Sequence, residues 1–283
     1  MMQNLTVLGT GNLGSQIIFQ SAYHGKNVTA YDISDEVLAK LPARWEQLKE
    51  CYKRDVEGAT DEKLDAAVAH IRPTADMKDA LKDADIVIEA VPERLDIKQD
   101  TWKKVSENAP AKTIFCTNSS TLPPSKLVSF TDRPEKFLCL HFANEVWKYN
   151  IGEVMMQPKT DPAVFEQVAQ FAEEIGMVPI RIYKEQPGYV VNSLSVPLLD
   201  AGGDLWVRGV ASFEDIDKTW RIATGSPMGP FQLIDFVGMM TPYNLMKDSP
   251  NPVKKEFARR LKVDYIDKGR LGKINGHGFY DYE

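Results

Sequence analysis

The stretch NLTVLGTGNLGSQIIFQSAYHGKNVTAYD, residues 4–32, decides the fold. Leu5, Val7 and Leu8 make a short buried strand that breaks at Gly9. Gly9, Gly11 and Gly14 then fall in G-x-G-x-x-G spacing, Ser15–His24 reads as a helix, and a second strand, Asn27–Tyr31, closes on Asp32. Glycine loops are common, so the spacing alone is weak evidence. Its context here is the required one: strand before, helix after, and an acidic residue eighteen positions past Gly14. The first glycine makes the tight turn, the second lets backbone approach a pyrophosphate, and the third lets helix pack on strand. The whole turn, Gly9, Gly11, Asn12, Leu13 and Gly14, is the expected phosphate cradle, with the helix N-terminus facing the anion. Asp32 is placed to accept hydrogen bonds from a ribose diol. Its charge repels a 2′-phosphate, which favours NAD over NADP. A purely structural βαβ unit stays open as the alternative.

The chain is 283 residues long, enough for one large domain or two ordinary ones. A net charge of −6 argues against a general nucleic-acid binder, which needs a basic face to displace counterions. Cys51, Cys116 and Cys139 form neither a metal-type spacing nor an even disulfide set, so a reducing cytoplasm is expected. The N-terminus runs straight into a strand without a leader pattern, and no apolar run reaches membrane-span length. We therefore expect a cytoplasmic protein with neither a nucleic-acid nor a membrane partner, and no metal.

Ser34–His70 is long for a plain crossover and reads as an inserted helical hairpin, Asp35–Val56 and Asp61–Ala69. Its mixed charges suit a solvated amphipathic face. Alternation resumes with a strand near Ile71, a helix at Asp76–Lys82, the buried strand Asp85–Ala90 and the helix Leu95–Asn108. The next strands are Thr113–Cys116, Phe137–Leu140, Ile151–Met156 and Val178–Ile182, with a helix at Pro162–Ile175, for roughly eight strands in all. The fold class is thus α/β, a Rossmann-type sheet with an inserted hairpin. After KEQPGY the alternation stops, and helices are expected at 188–199 with a kink at Pro197, then at 213–224, 231–246 and 253–268. The expected domains are 1–184, binding dinucleotide, and 185–283, all-helical.

Loops that leave the carboxyl ends of strands converge in such sheets. Glu93, Asn118, Ser119, Ser120, His141 and Asn144 should therefore meet in one crevice. His141, at the far end of a buried strand, has Glu153 twelve residues on. An imidazole steadied by a carboxylate suits general-base work, although a satisfied core histidine is the commoner meaning of that spacing. Ser120 with His141 and Glu153 also spells a nucleophilic set, disfavoured because no G-x-S-x-G elbow surrounds the serine. Trp147 and Tyr149 are either pocket wall or packing. His24, His70 and His277 have no partner pattern.

Together these motifs resemble the L-3-hydroxyacyl-CoA dehydrogenases. The likeness runs through GTGNLG with Asp32, EAVPE with Lys98, NSST, HFAN with Glu153, QPGYVVNSL, PMGPFQLIDFVG and the closing GHGFYDY. It implies His141 as catalytic base, Glu153 as its partner carboxylate, and Ser120 as the serine touching substrate oxygen and nicotinamide. It implies Asn192 as a further donor from the helical domain. Glu93, Lys98, Asn118 and Asn144 are implied beside the cofactor. The resemblance further implies a 3-keto or 3-hydroxyacyl substrate, in the first instance a coenzyme A thioester, an S alcohol and a homodimer through the helices.

Some positions depart from the pattern. Glu145 stands where the family has proline. By count, Leu48 and Asp55 occupy hairpin positions the family turns towards coenzyme A, and Ile274 replaces a lysine. HFAN-x-VW with TIF-x-TNSSTL is closer to the NADH-dependent diketoreductases, which reduce β-keto and β-diketo esters without a coenzyme A handle. A protein that binds NAD without catalysis is the reading from another class.

Overall fold

The computed structural model describes residues 2–282, which divide into two compact units, 2–190 and 191–282. The first is built on one eight-stranded sheet in the order β3-β2-β1-β4-β5-β6-β7-β8. Its elements are β1 (Asn4–Leu8), α1 (Asn12–Tyr23), β2 (Asn27–Tyr31), α2 (Asp35–Leu38), α3 (Leu41–Asp55), α4 (Asp61–Ala69) and β3 (Ile71–Thr74). They continue with α5 (Met77–Leu81), β4 (Ile86–Glu89), α6 (Leu95–Asn108), β5 (Ile114–Thr117), β6 (Phe137–Phe142), β7 (Ile151–Met155), α7 (Pro162–Glu174) and β8 (Val178–Ile182).

The chain leaves β1 outward through β2 and β3, then returns to place β4 on the other side of β1. That reversal opens a crevice at the carboxyl ends of β1 and β4, the place where open sheets take ligands. β1 to β6 run parallel, whereas β7 is antiparallel to β6. Both sheet faces are covered, so the inner strands are apolar throughout rather than alternating. One face packs on α1 and α7 through Ile17 and Phe165, with α3 and α4 laid against α1, Trp45 and Tyr52 on the Phe19 ring; the other packs on α6 through Trp102 and Val105.

The expected helix Asp35–Val56 is in fact two. Pro42 has no N–H for the carbonyl four residues back, so the chain breaks at Ala39–Lys40 and restarts as α3. β6 runs two residues further than expected, which puts His141 inside the strand and directly opposite Glu153.

The second unit continues α8 (Tyr189–Val207), whose first two residues close the first unit, and adds α9 (Phe213–Thr224), α10 (Pro230–Val237), α11 (Met240–Met246) and α12 (Pro252–Arg260). α8 carries Pro197 within its span. The expected helix 231–246 is split by Gly238, whose φ of 86° no helix accommodates. The expected helix 253–268 leaves α geometry after Arg260, widening into a π turn and then tightening into a 3-10 turn. The core gathers around Trp206, with Phe231, Phe257 and Phe279 edge-on to its ring. Buried Asp235 accepts the amides of Phe279 and Tyr280, which fastens the glycine-rich tail. No helix among the described residues is long and apolar enough to cross a membrane.

Candidate active site

The glycine turn is close-packed where it must be and open where a ligand would lie. Gly9 has a φ of 98°, and a Cβ there would stand 2.6 Å from the Ala90 carbonyl. A Cβ on Gly14 would stand 2.0 Å from the Gly9 carbonyl, which is how closely α1 meets the turn. A Cβ on Gly11 would meet nothing within 4 Å. Gly11 is also the N-cap of α1, and no side chain caps the helix's first amides. Uncapped amides at a helix N-terminus beside open space suit a bound anion.

Gly11, Asn12, Leu13 and Gly14 line a cleft of ≈ 210 Å³ whose opposite wall carries Glu93, Lys98, Asn118 and Ser120. Asp32 follows β2, its Oδ2 accepting the Thr10 amide at 2.7 Å and the Thr10 hydroxyl at 2.6 Å, its Oδ1 the Ile33 amide at 2.8 Å. A carboxylate has room for more donors than these, so a ribose diol can still bind there.

A charged cluster shapes the opposite wall. Lys98 is 1% exposed, and its ammonium lies against Glu89 and 3.2 Å from Glu93. Burial pushes the Glu89 carboxyl up, against the pull of Lys98 and of Thr117, whose hydroxyl donates to it at 2.8 Å. At Glu93 the balance is reversed. Partial loss of water raises its pKa, but the Ser119 hydroxyl, the Thr121 amide and hydroxyl and the Lys98 charge bring it down to about 2. Glu93 thereby ties the 118–121 loop to the end of β4. Asn118 is fixed in the same loop, its Oδ1 accepting the Phe142 amide at 2.9 Å. Asn144, beyond β6, accepts a bond from Asn12 on the glycine turn at 3.2 Å.

His141 and Glu153 face each other across the antiparallel β6–β7 pair, so both side chains leave the same sheet face. His141 Nδ1 lies 3.1 Å from Glu153 Oε2, and the other carboxylate oxygen accepts the Val190 amide at 3.0 Å. His141 Nε2 lies 3.1 Å from the Ser120 hydroxyl, which belongs to the cleft wall. A carboxylate on Nδ1 fixes the tautomer and leaves Nε2 to exchange a proton with whatever occupies the cleft. The line Ser120–His141–Glu153 also has the outline of a nucleophilic triad. However, left-handed φ values at non-glycine residues occur among the described residues only at Glu145 and Tyr189, so Ser120 sits on no strained elbow.

Glu93, Asn118, Ser120, His141, Glu153, Asn144 and the glycine turn thus all meet around one crevice of the first unit. Asn192 stands in the first turn of α8, in the second unit.

Two residues at the site were not singled out from the sequence. Tyr189, 2% exposed with φ of 56°, stacks flat on His141 at 4.2 Å with 8° between rings. Its hydroxyl donates to the Ser119 carbonyl and lies 2.9 Å from Cys139 Sγ. The only local trace of it is the turn-forming PG before it. Glu89 had a clearer trace, a lone charge closing the apolar strand IVIE nine residues before Lys98.

Comparison with known proteins agrees with this geometry. Residues 4–186 match the model of the 3-hydroxyacyl-CoA dehydrogenase NAD-binding domain, and residues 188–282 match that of the C-terminal domain. The mitochondrial hydroxyacyl-coenzyme A dehydrogenase of Homo sapiens is 32% identical, over 100% of this chain and 92% of its own length. The 3-hydroxybutyryl-CoA dehydrogenase of Clostridioides difficile is 31% identical, over 98% of this chain and 99% of its own. Among solved structures, a diketoreductase described in connection with dual catalysis of dicarbonyl compounds is 56% identical with a TM-score of 0.96, covering 99% of each chain.

Proposed function

Because the chain belongs to the 3-hydroxyacyl-CoA dehydrogenase family, we propose that it moves a hydride between NAD(H) and C3 of 3-hydroxyacyl and 3-ketoacyl substrates, with His141 as acid–base group. The observation that carries the reading is the His141–Glu153 pair, joined through Ser120 to the wall of the dinucleotide cleft. Gly9, Gly11, Asn12, Leu13, Gly14 and Asp32 hold the dinucleotide in this account, with Glu93, Lys98, Asn118 and Asn144 around it. The bound nicotinamide supplies or accepts the hydride.

In the reducing direction, His141 gives its Nε2 proton to the carbonyl oxygen while Glu153 stabilises the imidazolium that precedes transfer. Ser120 donates to the same oxygen as charge develops. In the oxidising direction, His141 takes the alcohol proton. By resemblance, Asn192 adds a second donor to that oxygen.

Coenzyme A thioesters are the first substrate class, which would place the enzyme in fatty acid metabolism. A second reading keeps the chemistry and takes β-keto or β-diketo esters. It is favoured by the 56% identity to a diketoreductase and by the charges of the inserted hairpin. Lys49 pairs with Glu46 and Asp65, Lys53 with Glu50 and Asp61, and Arg54 with Asp55, leaving these cations already neutralised. Steady-state rates for acetoacetyl-CoA and for a β-diketo ester, each with NADH, test the choice. A KM for the thioester no lower than for the ester removes the coenzyme A handle.

We place the enzyme in the cytoplasm as a homodimer. Support for the dimer is the exposed apolar set Leu194, Ile222 and Leu245 on the helical unit, and sedimentation at the monomer mass would contradict it.

A further inference from the structure

Residues 143–150 connect β6 to β7 and begin two positions after His141. The segment turns once, with the amides of Lys148 and Tyr149 both bonded to the Glu145 carbonyl. Glu145 enters that turn with a φ of 59°, a conformation that costs a side-chain-bearing residue unless its surroundings hold it. The holding group comes from another element. Gln16, 6% exposed on α1, accepts the Glu145 amide at 2.7 Å and approaches the Val146 amide at 3.4 Å with the same oxygen. Its amide nitrogen reaches Asn12 Oδ1 at 3.4 Å, one helical turn back, and Asn12 donates to Asn144 at 3.2 Å. Asn12 lines the dinucleotide cleft. The far side of the segment is tied separately, by Trp147 Nε1 to Asp55 on α3 at 3.0 Å.

We infer that Gln16 is a positioning residue that couples the glycine turn to the 143–150 segment, so that seating the dinucleotide and shaping the wall after His141 occur together. An aliphatic side chain would fill the space equally well, but only an acceptor satisfies the Glu145 amide. Dinucleotide on Gly11–Gly14 orders Asn12 and, through Asn12 and Gln16, stiffens the backbone of Asn144, Glu145 and Val146. The inference rests on the dehydrogenase reading for its substrate arm only; its exchange arm needs the dinucleotide alone.

The test uses the full chain with Gln16→Leu and Gln16→Glu. Amide hydrogen exchange of a peptide covering 143–150 is followed with and without NADH, and KM for the turned-over 3-keto substrate is measured beside the NADH Kd. In the unaltered protein, NADH is expected to slow exchange at Glu145 and Val146 at least about threefold. In Gln16→Leu these amides exchange at least about tenfold faster, NADH no longer slows them, and KM rises about tenfold while the NADH Kd stays within about threefold. Gln16→Glu keeps the oxygen that accepts the Glu145 amide but loses the donor to Asn12, so it is expected to keep the slow basal exchange while NADH no longer slows it further. The inference is overturned by NADH leaving exchange unchanged in the unaltered protein, by unaltered protection in Gln16→Leu, by fast basal exchange in Gln16→Glu or full NADH protection there, or by an effect confined to the NADH Kd. Failure of the unaltered protein to turn over any 3-keto substrate strikes the functional reading instead, and the exchange arm still reads.

Discussion

Glu153→Gln removes one charge and leaves the shape almost unchanged, which makes it an informative lesion. The carboxylate is 3% exposed, and its donors include His141 at 3.1 Å through Oε2 and the Val190 amide at 3.0 Å through Oε1. A carboxamide offers one accepting oxygen where the carboxylate offers two. If that oxygen keeps the Val190 amide, the NH2 group faces Nδ1, drives the proton to Nε2 and removes the base. If it turns to His141, the Val190 amide faces another donor and α8 loses a tie at its first turn. In either case the imidazolium loses its counter-charge. A hydrogen bond to a charged partner contributes about 1.5–3 kcal/mol, so kcat should fall about 10- to 150-fold in both directions. NADH affinity, measured by fluorescence titration, should not change, because neither residue lines the glycine turn. A kcat within about threefold of the unaltered enzyme, or a loss seen only in the NADH Kd, would refute the argument.

Other outcomes follow from the same contacts. Tyr189→Leu removes the flat stack on His141 and should lower kcat about tenfold with little change in KM, checked by steady-state rates; Tyr189→Phe, which keeps the ring, should be the milder lesion. Gly14→Ala forces a methyl to within 2.0 Å of the Gly9 carbonyl and should cost at least about 2 kcal/mol, read as a lowered midpoint in urea unfolding. Glu93 has a folded-state pKa of about 2 against an ordinary 4.5, so its contribution to stability is complete above the ordinary value and lost as pH falls towards the folded one. The melting-temperature gap between the unaltered protein and Glu93→Gln should therefore narrow as pH drops from about 6 to about 3, and a constant gap would contradict the assignment.

The part of this molecule readable in sequence is the part whose signal is local. The glycine spacing, its flanking strand and helix, and Asp32 lie within 29 residues, and the reason for Gly9 and Gly14 is a contact inside that stretch or at the end of the neighbouring strand. The polar loops after β4, β5 and β6 were legible because parallel sheets send such loops to one edge. The His141–Glu153 contact was only half legible. Twelve residues of separation say nothing about direction, and the contact depends on β7 running antiparallel to β6 with 141 opposite 153. Tyr189 and Gln16 left less trace. One meets His141 from 48 positions away and the other meets Glu145 from 129, and neither distance leaves a periodic mark. The helix ends were missed where a single proline or glycine overrode a continuous apolar stripe, at Pro42 and Gly238. The substrate was legible least, since the hairpin's charges matter only once their ion pairs are known.

We propose above all that proton transfer at C3 passes through His141. The most direct test is NADH oxidation by His141→Ala with the preferred 3-keto substrate, alongside its NADH Kd. We expect kcat at least about a hundredfold lower with the Kd unchanged. An enzyme keeping more than about a tenth of its turnover would show that the proton takes another route.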